Sequence, residues 1–153
     1  MLMTIGYERS DIEDFLATLV QARVEVLVDI RDRAQSRMSG FSKTALSAAV
    51  NEMGLEYVHL PALGDPKAGR EAARAGNFEA FRAIFDDVLR TTEAQSALLS
   101  LADMAQNKKI CLMCFERDQR QCHRLIVANE LEAPLQTKAM HLGVNRGAAR
   151  RAA

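Results

Sequence analysis

Short runs of β-branched and apolar residues alternate along this chain with stretches whose apolar residues recur at helical spacing. That alternation limits the fold more than any other feature. The run "VEVLVDI", Val24 to Ile30, is dense in β-branched residues and short, which suits a strand covered on both faces. Leu2 to Gly6 reads as an earlier strand. Between the two, Ser10 and Glu13 form a capping box ahead of Ile12, Phe15, Leu16, Leu19 and Val20 at helical spacing. Ser42 then caps a helix carrying Leu46, Val50 and Met53, which Gly54 ends. "LEYVHL" alternates as a strand until Pro61 stops it. Residues 61 to 76, rich in proline, glycine and charge, read as a long functional or mobile loop with room for one helical turn. Asn77 opens a helix with Phe78, Phe81, Phe85 and Val88 on one stripe, and a second helix runs from about Glu93 to Gln106. Lys109 to Phe115 is the next buried strand, Gln121 to Leu131 the next helix, and "TKAMHLGV" a last short strand. The expected fold is α/β: a single three-layer domain over residues 1–144, its mostly parallel sheet flanked by helices on both faces with right-handed crossovers. Residues 145–153, "NRGAARRAA" from Asn145, lack apolar periodicity and read as a flexible basic tail.

Charge and composition remove several classes of function. Lys plus Arg and Asp plus Glu each number 20 in 153 residues, and this balance argues against wholesale binding to nucleic acid or an anionic membrane. A local basic pocket remains open, and nucleic acid stays possible without support from net charge. No apolar run approaches the roughly 20 residues of a spanning helix, and "MLMTIGYERSD" lacks the pattern of a signal peptide. The chain therefore reads as cytoplasmic. Its three cysteines, in a reducing compartment, are expected as free thiols or ligands, with no disulfide.

In a parallel sheet ligands bind outside the carboxyl ends of the strands. The polar clusters fall there: Tyr7 and Arg9, then Asp29 and Arg31, then His59, then Cys114 to Arg124. The densest of them lies in "CLMCFERDQRQCHR", which admits several chemistries. A zinc site built on Cys111 and Cys114 with Cys122 and His123 has geometry against it. Cys111 and Cys114 on one strand face opposite ways, and adjacent helical residues diverge by about 100°. Cys111 reads as a small buried hydrophobe. A phosphatase reading rests on the C-x5-R spacing from Cys114 to Arg120, but the loop has acidic residues and no glycine to cradle a dianion, and a sulfurtransferase reading rests only on a shared layout of strand, cysteine loop and helix with a "VDIR"-like strand. The third reading makes Glu116 an acid, base or nucleophile, with His123, His59 and Cys122 as further catalytic candidates. Tyr7, Asp29, Arg31, Arg37, Arg117 and Arg124 are the candidate binding residues, the arginines offering bidentate donors to a phosphate or carboxylate. The bland alternative is a solvated turn at Glu116 to Asp118, with Arg124 paired to Asp29.

With these residues in view, the chain resembles the bacterial and archaeal family known as domain of unknown function 488. The resemblance extends to about Gly143. It is carried by "TIGY" at Thr4 to Tyr7, "VDIR" at Val28 to Arg31, "FSK" at Phe41 to Lys43, "YVHLPALG" at Tyr57 to Gly64 and "CFERDQRQCHR" at Cys114 to Arg124. The subgroup with "PKAGREAARAG" in the long loop fits best. The resemblance implies that Gly6, Tyr7, Asp29, Arg31, His59, Gly64, Glu116, Arg117, Cys122, His123 and Arg124 occupy motif positions, while Arg120 matches no motif arginine. It implies a fold but no activity. The expected function is therefore drawn from the residues: an enzyme acting on a small anionic or nucleotide-like substrate through a Glu, His and Arg pocket, with hydrolytic or N-glycosidic chemistry. No cofactor or metal is expected. The alternatives are a noncatalytic ligand or metal sensor and a cysteine-dependent enzyme.

Overall fold

The computed structural model describes residues 1–152. Five strands, β1 (Leu2–Gly6), β2 (Val26–Asp29), β3 (Glu56–His59), β4 (Ile110–Cys114) and β5 (Met140–Leu142), form one sheet in the order β3-β2-β4-β1-β5. Every pairing is parallel, as the alternation of strands and helices predicts. Seven helices accompany them among the described residues: α1 (Ile12–Gln21), α2 (Lys43–Glu52), α3 (Lys67–Arg74), α4 (Phe78–Leu89), α5 (Thr92–Asn107), α6 (His123–Leu135) and α7 (Ala148–Ala152).

Side-chain alternation along the strands divides the core in two. Met3, Ile5, Leu27, Cys111 and Met113 face one side, where Phe15 and Leu19 of α1 and Leu46 and Val50 of α2 cover them. Leu2, Val26, Val28, Ile110 and Leu112 face the other, under Phe81 and Phe85 of α4, Leu98 and Leu101 of α5, and Val127 and Leu131 of α6. The connections toward β3 use the first face and those running back toward β5 use the second, as a uniform crossover hand requires. Both faces of β1, β2 and β4 are thus dry, which explains why these strands read as unbroken apolar runs.

Several local expectations change. Asp11, not Ser10, caps α1, its side chain accepting from the Asp14 N–H. Ser42 precedes α2 without a side-chain cap, because its hydroxyl is engaged with the backbone of Ser36. The Pro61 to Gly76 loop contains a 3-10 turn, Pro61–Leu63, and the two-turn helix α3. The C-terminal segment is not a frayed tail over its described part. Ala148 is fully buried, and the Asp14 carboxylate accepts from the N–H groups of Gly147 (2.8 Å) and Ala149 (3.0 Å), docking α7 on α1. Small residues and one distant carboxylate fix this segment, and neither leaves a periodic pattern.

Candidate active site

At the carboxyl ends of β1, β2 and β4 lies a cavity of about 850 Å³, walled by the loops that follow these strands and by α3. Tyr7, Arg31, Arg37, Glu116, Cys122 and His123, all expected at a site, line it. Asp29, His59, Arg117 and Arg124 do not, and each has a physical reason.

Asp29, at the end of β2, is fully buried beneath the cavity. Its carboxylate accepts from Arg31 Nε (2.8 Å) and Nη2 (2.7 Å) and from the Tyr57 hydroxyl (2.5 Å). Arg31 also donates through Nη1 to the Tyr7 hydroxyl (3.1 Å) and the Phe41 carbonyl (2.7 Å). Burial works against the Arg31 charge, but the bidentate Asp29 carboxylate outweighs it and holds the pKa above the usual arginine value. With those donors engaged, Arg31 forms a floor to the cavity and leaves little for an incoming anion. His59 turns the other way, its Nε2 2.7 Å from the Arg31 carbonyl, beside a separate hollow lined by Arg37 and Lys43. That contact braces the chain after β2. Arg117 lies outside the cavity, with Nη2 3.5 Å from the Val144 carbonyl.

Arg124 is the largest fully buried side chain. It does not pair with Asp29. Its Nη1 donates to the Glu116 carbonyl (3.0 Å) and toward Cys114 Sγ (3.7 Å), and its Nη2 to the Arg117 carbonyl (3.3 Å). No carboxylate lies within ion-pair range among the described residues, and Nε has no partner. Burial lowers the Arg124 pKa to about 10. Gly6 makes this packing possible, since a Cβ there would stand 1.8 Å from the Glu116 carbonyl oxygen and 2.6 Å from Arg124 Nη1.

Glu116 is half-buried, and burial raises its pKa above the ordinary carboxylate range. A second carboxylate on the cavity wall, Asp65, escapes sequence reasoning. It is 5% exposed, its Oδ1 is buried without a hydrogen-bond partner, and burial pushes its pKa to about 7. Gly69 of α3 leaves the room it needs, because a Cβ there would come within 1.9 Å of Oδ1. The available signal was Asp65 set between Gly64 and Pro66, inside a segment read as functional. Arg33, Arg74 and the partly exposed Phe115 also line the cavity. Together with Arg37, Arg33 and Arg74 have no ion-pair partner among the described residues.

His123 is buried, with Nε2 2.7 Å from the Ile30 carbonyl, which fixes the proton on that nitrogen and leaves Nδ1 as an acceptor. Burial lowers its pKa to about 4, so the ring is neutral near pH 7. Its Nδ1 stands 3.5 Å from Cys122 Sγ. The expected divergence of Cys122 and His123 assumed both were helical. Cys122 is instead the extended residue that caps α6, and its sulfur accepts from the Arg124 N–H.

The cysteines carry a further correction. Cys111 and Cys114 face opposite sides, as alternation predicts, and Cys111 is a buried free thiol whose pKa burial raises. Cys114 and Cys122, however, are joined as a disulfide, with Cα atoms 7.3 Å apart. The loop after β4 folds back so that the end of the strand and the α6 cap meet, a closure that spacing alone does not reveal. One carboxylate oxygen of Glu116 and the two sulfurs lie within 4.8 Å of one another, the only such potential metal-ligating group among the described residues. Arg120 donates to the Asp118 carboxylate at 3.1 and 3.0 Å on the surface, so the C-x5-R reading lacks its arginine.

No curated protein and no solved structure matches the chain. The model of the family described as domain of unknown function DUF488 matches residues 11–131, a span from α1 into α6 that takes in most of the cavity wall, and the chain belongs to that family.

Proposed function

We propose that the protein is an enzyme that cleaves a bond in a small anionic, nucleotide-like molecule by general acid–base catalysis, with Asp65 as proton carrier and Glu116 as the second carboxylate. The observation that carries this reading is Asp65: a nearly dry carboxylate on the cavity wall, with one unpartnered oxygen and a pKa of about 7. A group poised near neutral pH both gives and takes a proton efficiently. Leaving a buried carboxyl oxygen without a partner is costly for stability, and catalytic sites are where such costs recur. Arg33, Arg37 and Arg74 supply the cationic rim for the anionic group. Phe115, 41% exposed and edge-on to Tyr7, offers an aromatic surface for a planar base. Together these favour hydrolytic cleavage, N-glycosidic bonds included.

The test is incubation of the pure protein with a panel of nucleoside 5′-monophosphates, with chromatographic detection of the released base. Asp65→Asn and Glu116→Gln are expected to retain binding while lowering turnover by about 10²- to 10⁴-fold. Arg37→Ala is expected to raise KM with little change in kcat. Turnover that survives both carboxylate substitutions removes the acid–base reading.

A further inference from the structure

The buried guanidinium of Arg124 has hydrogen-bond partners, but no carboxylate lies within ion-pair range of it among the described residues, the charges of Glu116 and Asp118 acting only from farther off. A dry cation of this kind is costly unless a negative charge lies beside it. The nearest groups able to become anions are sulfurs. Arg124 points Nη1 at Cys114 Sγ (3.7 Å), and its backbone N–H donates to Cys122 Sγ (3.4 Å). Hydrogen bonds from a cation and from a helix N-terminus favour thiolate over thiol. They are also the outer contacts that orient thiolates on a metal.

We propose that Cys114, Cys122 and Glu116 form a site for a thiophilic divalent cation of the zinc type, available when the Cys114–Cys122 bond is reduced. Two sulfurs and a carboxylate oxygen already lie within 4.8 Å of one another, so small side-chain movements bring all three to the roughly 2.0–2.3 Å of zinc ligation. Charge closes as well: two thiolates and a carboxylate against a divalent ion leave one negative charge, which Arg124 neutralises. All three residues line the cavity, so a fourth position is open to water or substrate, as in catalytic rather than structural zinc sites.

Forming the site requires a two-electron reduction. An external dithiol gives two electrons and two protons to the disulfide, becoming a disulfide itself and leaving two protein thiols. Metal binding then expels the thiol protons to solvent. With the ion bound, Glu116 is committed to it, and Asp65 alone handles protons in the acid–base reading.

The experiment uses the full chain, reduced anaerobically with a phosphine, freed of reductant and titrated with Co²⁺. One ion per chain is expected, with sulfur-to-cobalt charge-transfer absorption and the visible bands of a four-coordinate ion. Oxidised protein is expected to show neither. Cys122→Ser, which keeps a good helix cap at the first residue of the α6 entry, is expected to abolish the charge-transfer band or reduce it to that of a single thiolate. Cys114→Ser is expected to do the same, and Glu116→Gln to weaken binding roughly tenfold or more. Fold is checked by circular dichroism, and if Cys114→Ser does not fold, Cys122→Ser carries the test. The absence of a charge-transfer band in reduced, folded protein overturns the proposal, as does a band unchanged in Cys122→Ser. Because cobalt binding is read without substrate, its failure leaves the reading of Asp65 standing, and loss of that reading leaves the metal site standing.

Discussion

Arg31 and Arg124 are both buried arginines at the carboxyl edge of the sheet, yet their surroundings differ in kind. Arg31 has a bidentate carboxylate two residues away, at the end of the strand that precedes it, and Asp29 in turn is held by Tyr57. The Arg124 guanidinium has two carbonyls and one sulfur. A buried ion pair contributes little net stability relative to apolar residues, whereas removing one partner strands the other charge. Asp29→Ala is therefore expected to lower unfolding free energy by about 3–5 kcal/mol. The double change Asp29→Leu with Arg31→Met is expected to cost clearly less than Asp29→Ala alone. Urea denaturation of the three proteins checks this, and a double variant at least as unstable as Asp29→Ala shows that the pair contributes more than mutual compensation. Sequence reasoning identified both arginines as functional, because a guanidinium beside a strand end reads the same whether it faces ligand or protein. What separates the two cases is whether its donors are already used, and that depends on Tyr7, Phe41 and Glu116 arriving from elsewhere in the chain.

Among the elements, the docking of α7 on α1 draws two of its hydrogen bonds from a single side chain. Asp14 accepts from two N–H groups at the start of α7, and those hydrogen bonds, with lesser help from Arg151 and Arg150, hold its carboxyl below the usual range. Asp14→Ala is expected to release α7 while α1 persists. Amide hydrogen exchange checks it: Gly147 and Ala149 should lose protection while Phe15 to Leu19 keep theirs, and unchanged protection at Ala149 would show that Ala148 packing alone suffices. The same contact shows where sequence legibility ends. β1, β2 and β4 were readable because they are dry on both faces and carry β-branched or apolar residues throughout. Helices α1, α4 and α5 were readable because each buries one stripe against the sheet. Helix α3 was not, since Lys67 to Arg74 has mostly charged or small residues and buries chiefly Gly69. Yet α3 supplies a wall of the cavity and the gap that receives Asp65. The site's main unforeseen carboxylate thus sits where periodicity carries least information, and its partner Glu116 was legible because it lies just beyond the end of a strong apolar strand.

For the whole molecule, zero net charge conceals a sorted surface. Six arginines line the cavity against four carboxylates, Glu8, Asp32, Asp65 and Glu116. Asp65 faces Arg70, whose Nη1 donates to the Asp65 carbonyl at 2.8 Å, along with the like charges of Glu116 and Asp32. Burial exceeds the attraction of Arg70, and the pKa rises from the ordinary 3.8 to about 7. Between those two values the folded chain holds a proton that the unfolded chain has released. The stability due to this group is therefore complete below about pH 4 and is lost as pH rises through 7. Asp65→Asn removes the titration and keeps the shape. The variant is expected to gain on the native chain as pH rises from 5 to 8, by roughly 2–3 kcal/mol at about 1.4 kcal/mol per pKa unit. Urea unfolding at the two pH values measures the difference, and parallel pH profiles for the two proteins would mean that Asp65 is solvated and ionised in the native state. A variant stabilised above pH 7 and inactive across the range would place Asp65 among residues kept for chemistry at a cost to the fold.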